Sequence, residues 1–190
     1  MQLQEFADED GRVLAPVKYF EASAEMMGIG AKVVEAMSTQ LKLSVRASSI
    51  SLRDIEKVLM QLALLPQRKG LDGFLWGWQV LIVSLALFRA VQPRLFERAI
   101  KGNILISEVE EFYGIRPEML NRSNSQGRTY RHDAFIIRAC WEFALTGPGP
   151  EGEVKQVSKG FDDFGTRSFE AIIPGIERDF FRFFEITEQP

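Results

Sequence analysis

The chain has 190 residues, and its 23 basic against 26 acidic side chains leave a net charge of −3, which excludes a strongly basic nucleic-acid binder and an acidic tail but not a local patch. One cysteine, Cys140, excludes an internal disulfide framework and a cysteine-built zinc site, and one histidine, His132, excludes a polyhistidine metal site. The size suits one domain, or a domain with an appendage.

The start, Met1 to Asp10, is polar and acidic rather than signal-like, so the expected compartment is the cytoplasm. Pro16 fits the first turn of a helix running to Met27, with Gly28 and Gly30 as punctuation. Val33, Val34, Met37, Leu41 and Val45 then share one helical face. Ser51 and Asp54 have the spacing of an N-cap and the acid that completes a capping box. Leu52, Ile55, Leu59, Leu62 and Leu65 form a stripe behind it, ended by Pro66. From Gly73 to Phe88 the sequence GFLWGWQVLIVSLALF carries no charge. It falls short of the roughly 18–20 residues a bilayer needs, so it is expected as a helix buried on all sides, with no membrane span.

Pro93 opens a short amphipathic helix carrying Leu95, Phe96, Ala99 and Ile100, and Gly102 ends it. Ser107 to Glu110 reads as a second capping box before a helix of two turns. Residues 121–127 are a loop by composition. Tyr130 to Leu145 is an amphipathic helix with Ala134, Ile137, Trp141 and Leu145 inward, followed by an irregular loop near 146–159. The last 30 residues hold seven of the 15 phenylalanines, which is core-forming material. Phe180, Phe183 and Phe184 share a face there and Phe181 points away. No strand alternation and no repeat appears. The expected fold is all-α, a compact bundle of about seven to eight helices.

Chemistry-bearing motifs are few. Gly28 to Lys32 glances at a P-loop, but no glycine precedes Lys32 and Val33 replaces the required hydroxyl; Gly147 and Gly152 are followed by Glu153 and Val154. Neither cradles a phosphate. The acid pairs Glu110–Glu111 and Asp162–Asp163 and the run Asp8 to Asp10 read as solvated faces rather than general acid–base pairs. Cys140 and His132 stand two turns apart on one helix, too far for a nucleophile–base contact. Between Phe112 and Arg138 five arginines, Arg116, Arg122, Arg128, Arg131 and Arg138, face only Glu118 and Asp133. Of these, Arg116, Arg122, Arg128 and Arg131 are candidates for phosphate or nucleic-acid contact, and pairing with acids of the C-terminal third is the alternative.

The stretch Ser49-Ile-Ser-Leu-Arg-Asp-Ile-Glu-Lys-Val-Leu59 resembles the LSLRDIE segment in the C-terminal helical part of KAP-family P-loop NTPases. Leu62-Ala-Leu-Leu65, the apolar helix, and Leu87-Phe-Arg-Ala-Val-Gln-Pro-Arg-Leu-Phe96 leading to Gly102 follow in a similar order, so the resemblance spans roughly residues 16–115. It implies a helical lid of residues 1–125, with 126–190 an extension packed on it. It also implies an ATPase whose Walker motifs and α/β core are missing from this chain. No catalysis is expected of the chain alone, no metal ligand, and no bound cofactor, with ATP and magnesium entering only when a P-loop core is supplied in cis or in trans. The resemblance implies that Arg53 is a nucleotide-phosphate sensor; independently, a cation in the first turn of a helix runs against the helix dipole and calls for a reason. Self-association through a bared apolar surface is a further expectation. The competing expectation is a stand-alone α-helical module, phage- or defence-related, binding protein or nucleic acid through the arginine-rich loop.

Overall fold

A computed structural model describes residues 15–65, 75–120, 128–147, 160–161 and 169–182, without the side chains of 128–132. Every regular element among them is helical. In order these are α1 (Ala15–Met26), α2 (Ala31–Ala47), α3 (Leu52–Leu64), α4 (Trp76–Val91), α5 (Pro93–Ile100), α6 (Ile106–Tyr113), α7 (Pro117–Leu120) and α8 (Arg128–Thr146). A 3-10 turn (Phe169–Ala171), α9 (Ile172–Ile176) and a π turn (Glu177–Phe181) follow. The all-α multi-helix bundle expected from the sequence is the fold observed.

α4 is the hub. It packs against α2, α3, α5 and α8, and every residue from Gly77 to Phe88 is buried. No helix among the described residues is long and apolar enough to cross a membrane. Aromatic rings close the centre: Phe88 stacks on Trp141 of α8 at 5.4 Å and meets Phe112 of α6 edge-on at 4.7 Å.

The two polar residues that interrupt the apolar run are buried, and Ser84 joins a closed network. Ser84 Oγ donates to Gln40 Oε1 at 3.0 Å, and the Tyr113 hydroxyl donates to the same oxygen at 2.6 Å. Gln40 Nε2 donates to the Val80 carbonyl at 2.9 Å. One amide thus ties α2, α4 and α6 together, leaving no cost of a stranded acceptor at Gln40 Oε1. Burial pushes the Tyr113 hydroxyl pKa up, so it stays a neutral donor.

Ser51 caps α3 in a reciprocal box: Asp54 N–H donates to Ser51 Oγ at 3.2 Å, and Ser51 N–H donates to Asp54 Oδ2 at 3.1 Å. Gly114 ends α6 in the left-handed region at φ 62°, where an added Cβ would lie 2.8 Å from the Ala47 side chain.

Three local expectations are corrected. The N-cap of α6 is Leu105, not Ser107; Glu108 supplies half of a box by accepting from the Leu105 N–H at 2.9 Å, and Ser107 lies inside the helix. Leu52, placed in the buried stripe by its spacing, is 39% exposed, because it occupies the first helical position, ahead of the packed turns. Phe181 is buried beside Phe180. The π turn is the reason: the Arg182 N–H reaches back to the Glu177 carbonyl, and the wider turn brings successive side chains closer in direction than an α-helix does. Phe181 meets Phe96 of α5 edge-on at 5.4 Å. Phe183 and Phe184 lie outside the described residues.

Candidate functional site

The outer face of α3 is the first candidate. With the Ser51 cap fixing its start, Ile55, Val58, Leu59 and Leu62 turn inward. At ~100° per residue the opposite face is Arg53, Lys57, Met60 and Leu64. Met60 is 59% exposed and Leu64 55%. Arg53 is exposed as well, with no hydrogen bond or ion pair to a described residue. Asp54 is occupied: it accepts from Ser51 and pairs with Lys57 at 3.1 Å. Partial burial raises its pKa, but hydrogen bonds from Ser51 and Lys57 and the lysine charge outweigh that and hold the carboxyl below its ordinary value. Neighbouring α1 adds Tyr19, whose hydroxyl lies 3.4 Å from Glu56 Oε1, and exposed Met26. The arrangement is a ridge with two cations, Arg53 and Lys57, and two exposed apolar side chains, Met60 and Leu64; Lys57 is tied to Asp54 and the Ala90 carbonyl, Arg53 is not.

The arginine-rich region divides. Arg116, between α6 and α7, is exposed with no partner among the described residues. Arg122 and the side chains of Arg128 and Arg131 lie outside the described residues. Arg138 is committed to the fold, binding Glu110 of α6 at 2.7 Å and Glu142 of its own helix at 2.6 Å. Its burial opposes the charge, yet the two carboxylates overcome that and raise the guanidinium pKa. Among the described residues its partners are therefore Glu110 and Glu142, not the acids of the last 30 residues.

Nucleophilic and metal chemistry find little purchase. Cys140 is completely buried, and burial pushes its thiol pKa up, the opposite of what a reactive thiolate needs. The His132 side chain lies outside the described residues, as do Asp162, Asp163 and the acidic run Asp8 to Asp10. Glu110 is taken by Arg138, which separates it from Glu111. No group of three potential metal ligands occurs among the described residues.

A second candidate was not expected from the sequence: a cleft of ≈ 440 Å³ between α2, α4 and α8. Val80, Ile136 and Ile137 line it with apolar surface, the Trp76 indole stands at its edge, and Glu35 and Asp133 face it from α2 and α8. Its volume falls in the range of small-molecule sites. Little in the sequence signals it: Trp76 lies inside the uncharged run Gly73 to Phe88, and only the start of α4 at that residue sets it apart from Trp78. Nothing in local spacing brings Glu35 and Asp133 together, because only tertiary packing does so.

Compared with known protein families, characterised proteins and solved structures, the chain matches none.

Proposed function

We propose that this chain is a non-catalytic helical domain that docks, through the outer face of α3, on a P-loop nucleotide-binding core carried in cis or in trans, with Arg53 facing that core's phosphate site. The observation that carries the reading is the coincidence on one face of an exposed, uncommitted arginine with exposed Met60 and Leu64. A lid that rests on a core needs an apolar contact area and a charge held free for the ligand; an arginine at a helix start gains nothing from the dipole and gains much from a phosphate. Alone, the chain lacks the backbone cradle that such a phosphate requires, so it neither hydrolyses ATP nor binds it at millimolar concentration. Bared of its core, the same face favours self-association at high concentration.

The test is site-specific photo-crosslinking from position 60 in the source cells, with the adduct identified by mass spectrometry. The expected adduct is a P-loop ATPase, or the P-loop portion of the same polypeptide, with a yield that changes when a non-hydrolysable ATP analogue is added. Adducts to the chain itself alone would overturn the reading. So would a stoichiometric ATP isotherm of the isolated chain that Arg53→Ala abolishes.

The alternative, a stand-alone module contacting nucleic acid or protein through Arg116, Arg122, Arg128 and Arg131, is supported by the exposure of Arg116. It is weakened by the engagement of Arg138 within the fold. Anisotropy titration with labelled single- and double-stranded DNA and RNA at two salt concentrations discriminates it: a salt-dependent affinity lost in Arg116→Ala favours the module.

A further inference from the structure

We propose that the cleft between α2, α4 and α8 is a binding site for a small organic cation, a flat apolar body bearing a protonated amine. The inference does not rest on the docking reading, since the cleft and the outer face of α3 share no residue.

Size comes first. At ≈ 440 Å³ the cleft holds a one- or two-ring molecule and is too small for a folded partner's helix. Its walls select an apolar body: Val80 and Ile137 are buried, and Ile136 is half-buried. Trp76 then sets the geometry. Trp78 and Trp141 are 2% and 0% exposed, whereas Trp76 is 36% exposed at the edge of the cleft. Indole surface left in water is an unrealised contact, and an indole face is the best aromatic platform for a cation.

Charge selects the head group. Among the described residues the rim carries Lys32, Glu35 and Asp133, two carboxylates to one ammonium. Lys32 and Asp133 each have a partner already. Glu35 is exposed and makes no hydrogen bond or ion pair with a described residue, so among the described residues of the rim it is the carboxylate placed to meet a ligand's charge. A cation that rests on the Trp76 ring while its amine faces Glu35 satisfies both; an anion meets two carboxylates and gains neither.

Three probes with one indole body separate the contributions: tryptamine (cation), tryptophol (neutral) and indole-3-propanoate (anion), each titrated calorimetrically into the full chain. Tryptamine is expected to bind saturably, tryptophol more weakly, and indole-3-propanoate not at all. Glu35→Gln should weaken tryptamine about two- to fivefold, the range of a solvent-exposed ion pair, and leave tryptophol unchanged. Trp76→Ala should weaken tryptamine by about tenfold and tryptophol by less, since only the amine gains from the ring's negative face. Ala36→Phe, which fills the cleft from its half-buried wall on α2, should abolish both; the thermal transition of each variant reports that the fold is intact. No saturable heat from any probe would overturn the proposal. Equal affinity for the three probes, or a Glu35→Gln variant that binds tryptamine as the parent does, would overturn the cation assignment.

Discussion

α3 and α4 are neighbours, both rich in leucine, and they end in opposite situations. α4 buries even its glutamine and serine, while α3 leaves a methionine and a leucine in water beside an arginine. Apolar content therefore does not decide burial here; the number of sides on which the chain supplies a partner does. α4 is surrounded by α2, α3, α5 and α8, and its Ser84 hydroxyl is matched by Gln40 of α2. α3 has α1 and α4 on its inner side; on its outer ridge Arg53, Met60 and Leu64 stay exposed, while Lys57 reaches the Ala90 carbonyl of α4 at 3.5 Å.

The comparison is sharpest where it predicts the largest loss. Phe88→Ala, which removes a ring stacked on Trp141 at the hub, should cost about 3–5 kcal/mol in urea unfolding. Tyr113→Phe should cost about 1–2 kcal/mol by withdrawing one donor from the buried Gln40 oxygen. If it were neutral, the network would be incidental to the packing.

Asp54→Ala should cost about 1 kcal/mol at pH 7, by circular-dichroism melting. Its carboxyl is held below its ordinary value in the fold, so this contribution is fully present above the ordinary aspartate range and disappears as pH falls through the lower folded value. The gap between parent and variant should accordingly close in acid. Smallest of all, Leu64→Glu should move stability by no more than about 0.5 kcal/mol while reducing self-association in sedimentation velocity. A loss of several kcal/mol there would mean that the outer face of α3 is core, and the contrast with α4 would collapse.

Periodicity and capping made most of the helices legible. Ser51 and Asp54 announced the start of α3, and Pro93 and Gly102 bracketed α5, because these are local interactions encoded within a turn of chain. What escaped was tertiary. Ser107 has the residue type of a cap, but the cap fell two residues earlier, where Glu108 reaches the Leu105 N–H. Phe181 was set apart from the face of Phe180 on an α-helical wheel that the π turn does not follow. Of the candidate sites, Arg53 was picked out by the resemblance of its segment, with its charge at a helix start as a second reason. The cleft could not, since its walls come from three helices far apart in sequence. Gln40 sits among apolar neighbours of α2, a detectable anomaly, but its partners Ser84 and Tyr113 become evident only in three dimensions.

The first turn of α4 depends on chain made much later. The Gly77 N–H donates to the Gly160 carbonyl at 3.1 Å, and a Cβ on Gly77 would lie 2.7 Å from that oxygen. A Cβ on Gly160 would in turn lie 2.7 Å from the Trp76 ring. Two glycines thus let distant backbones touch at the hub's open end. For a polypeptide emerging from a ribosome, this makes completion of the bundle an event of late synthesis: the apolar α4 appears early, yet this contact at its leading end forms only after residue 160 has left the exit tunnel. In that interval a nascent chain carries its most hydrophobic segment without this closure.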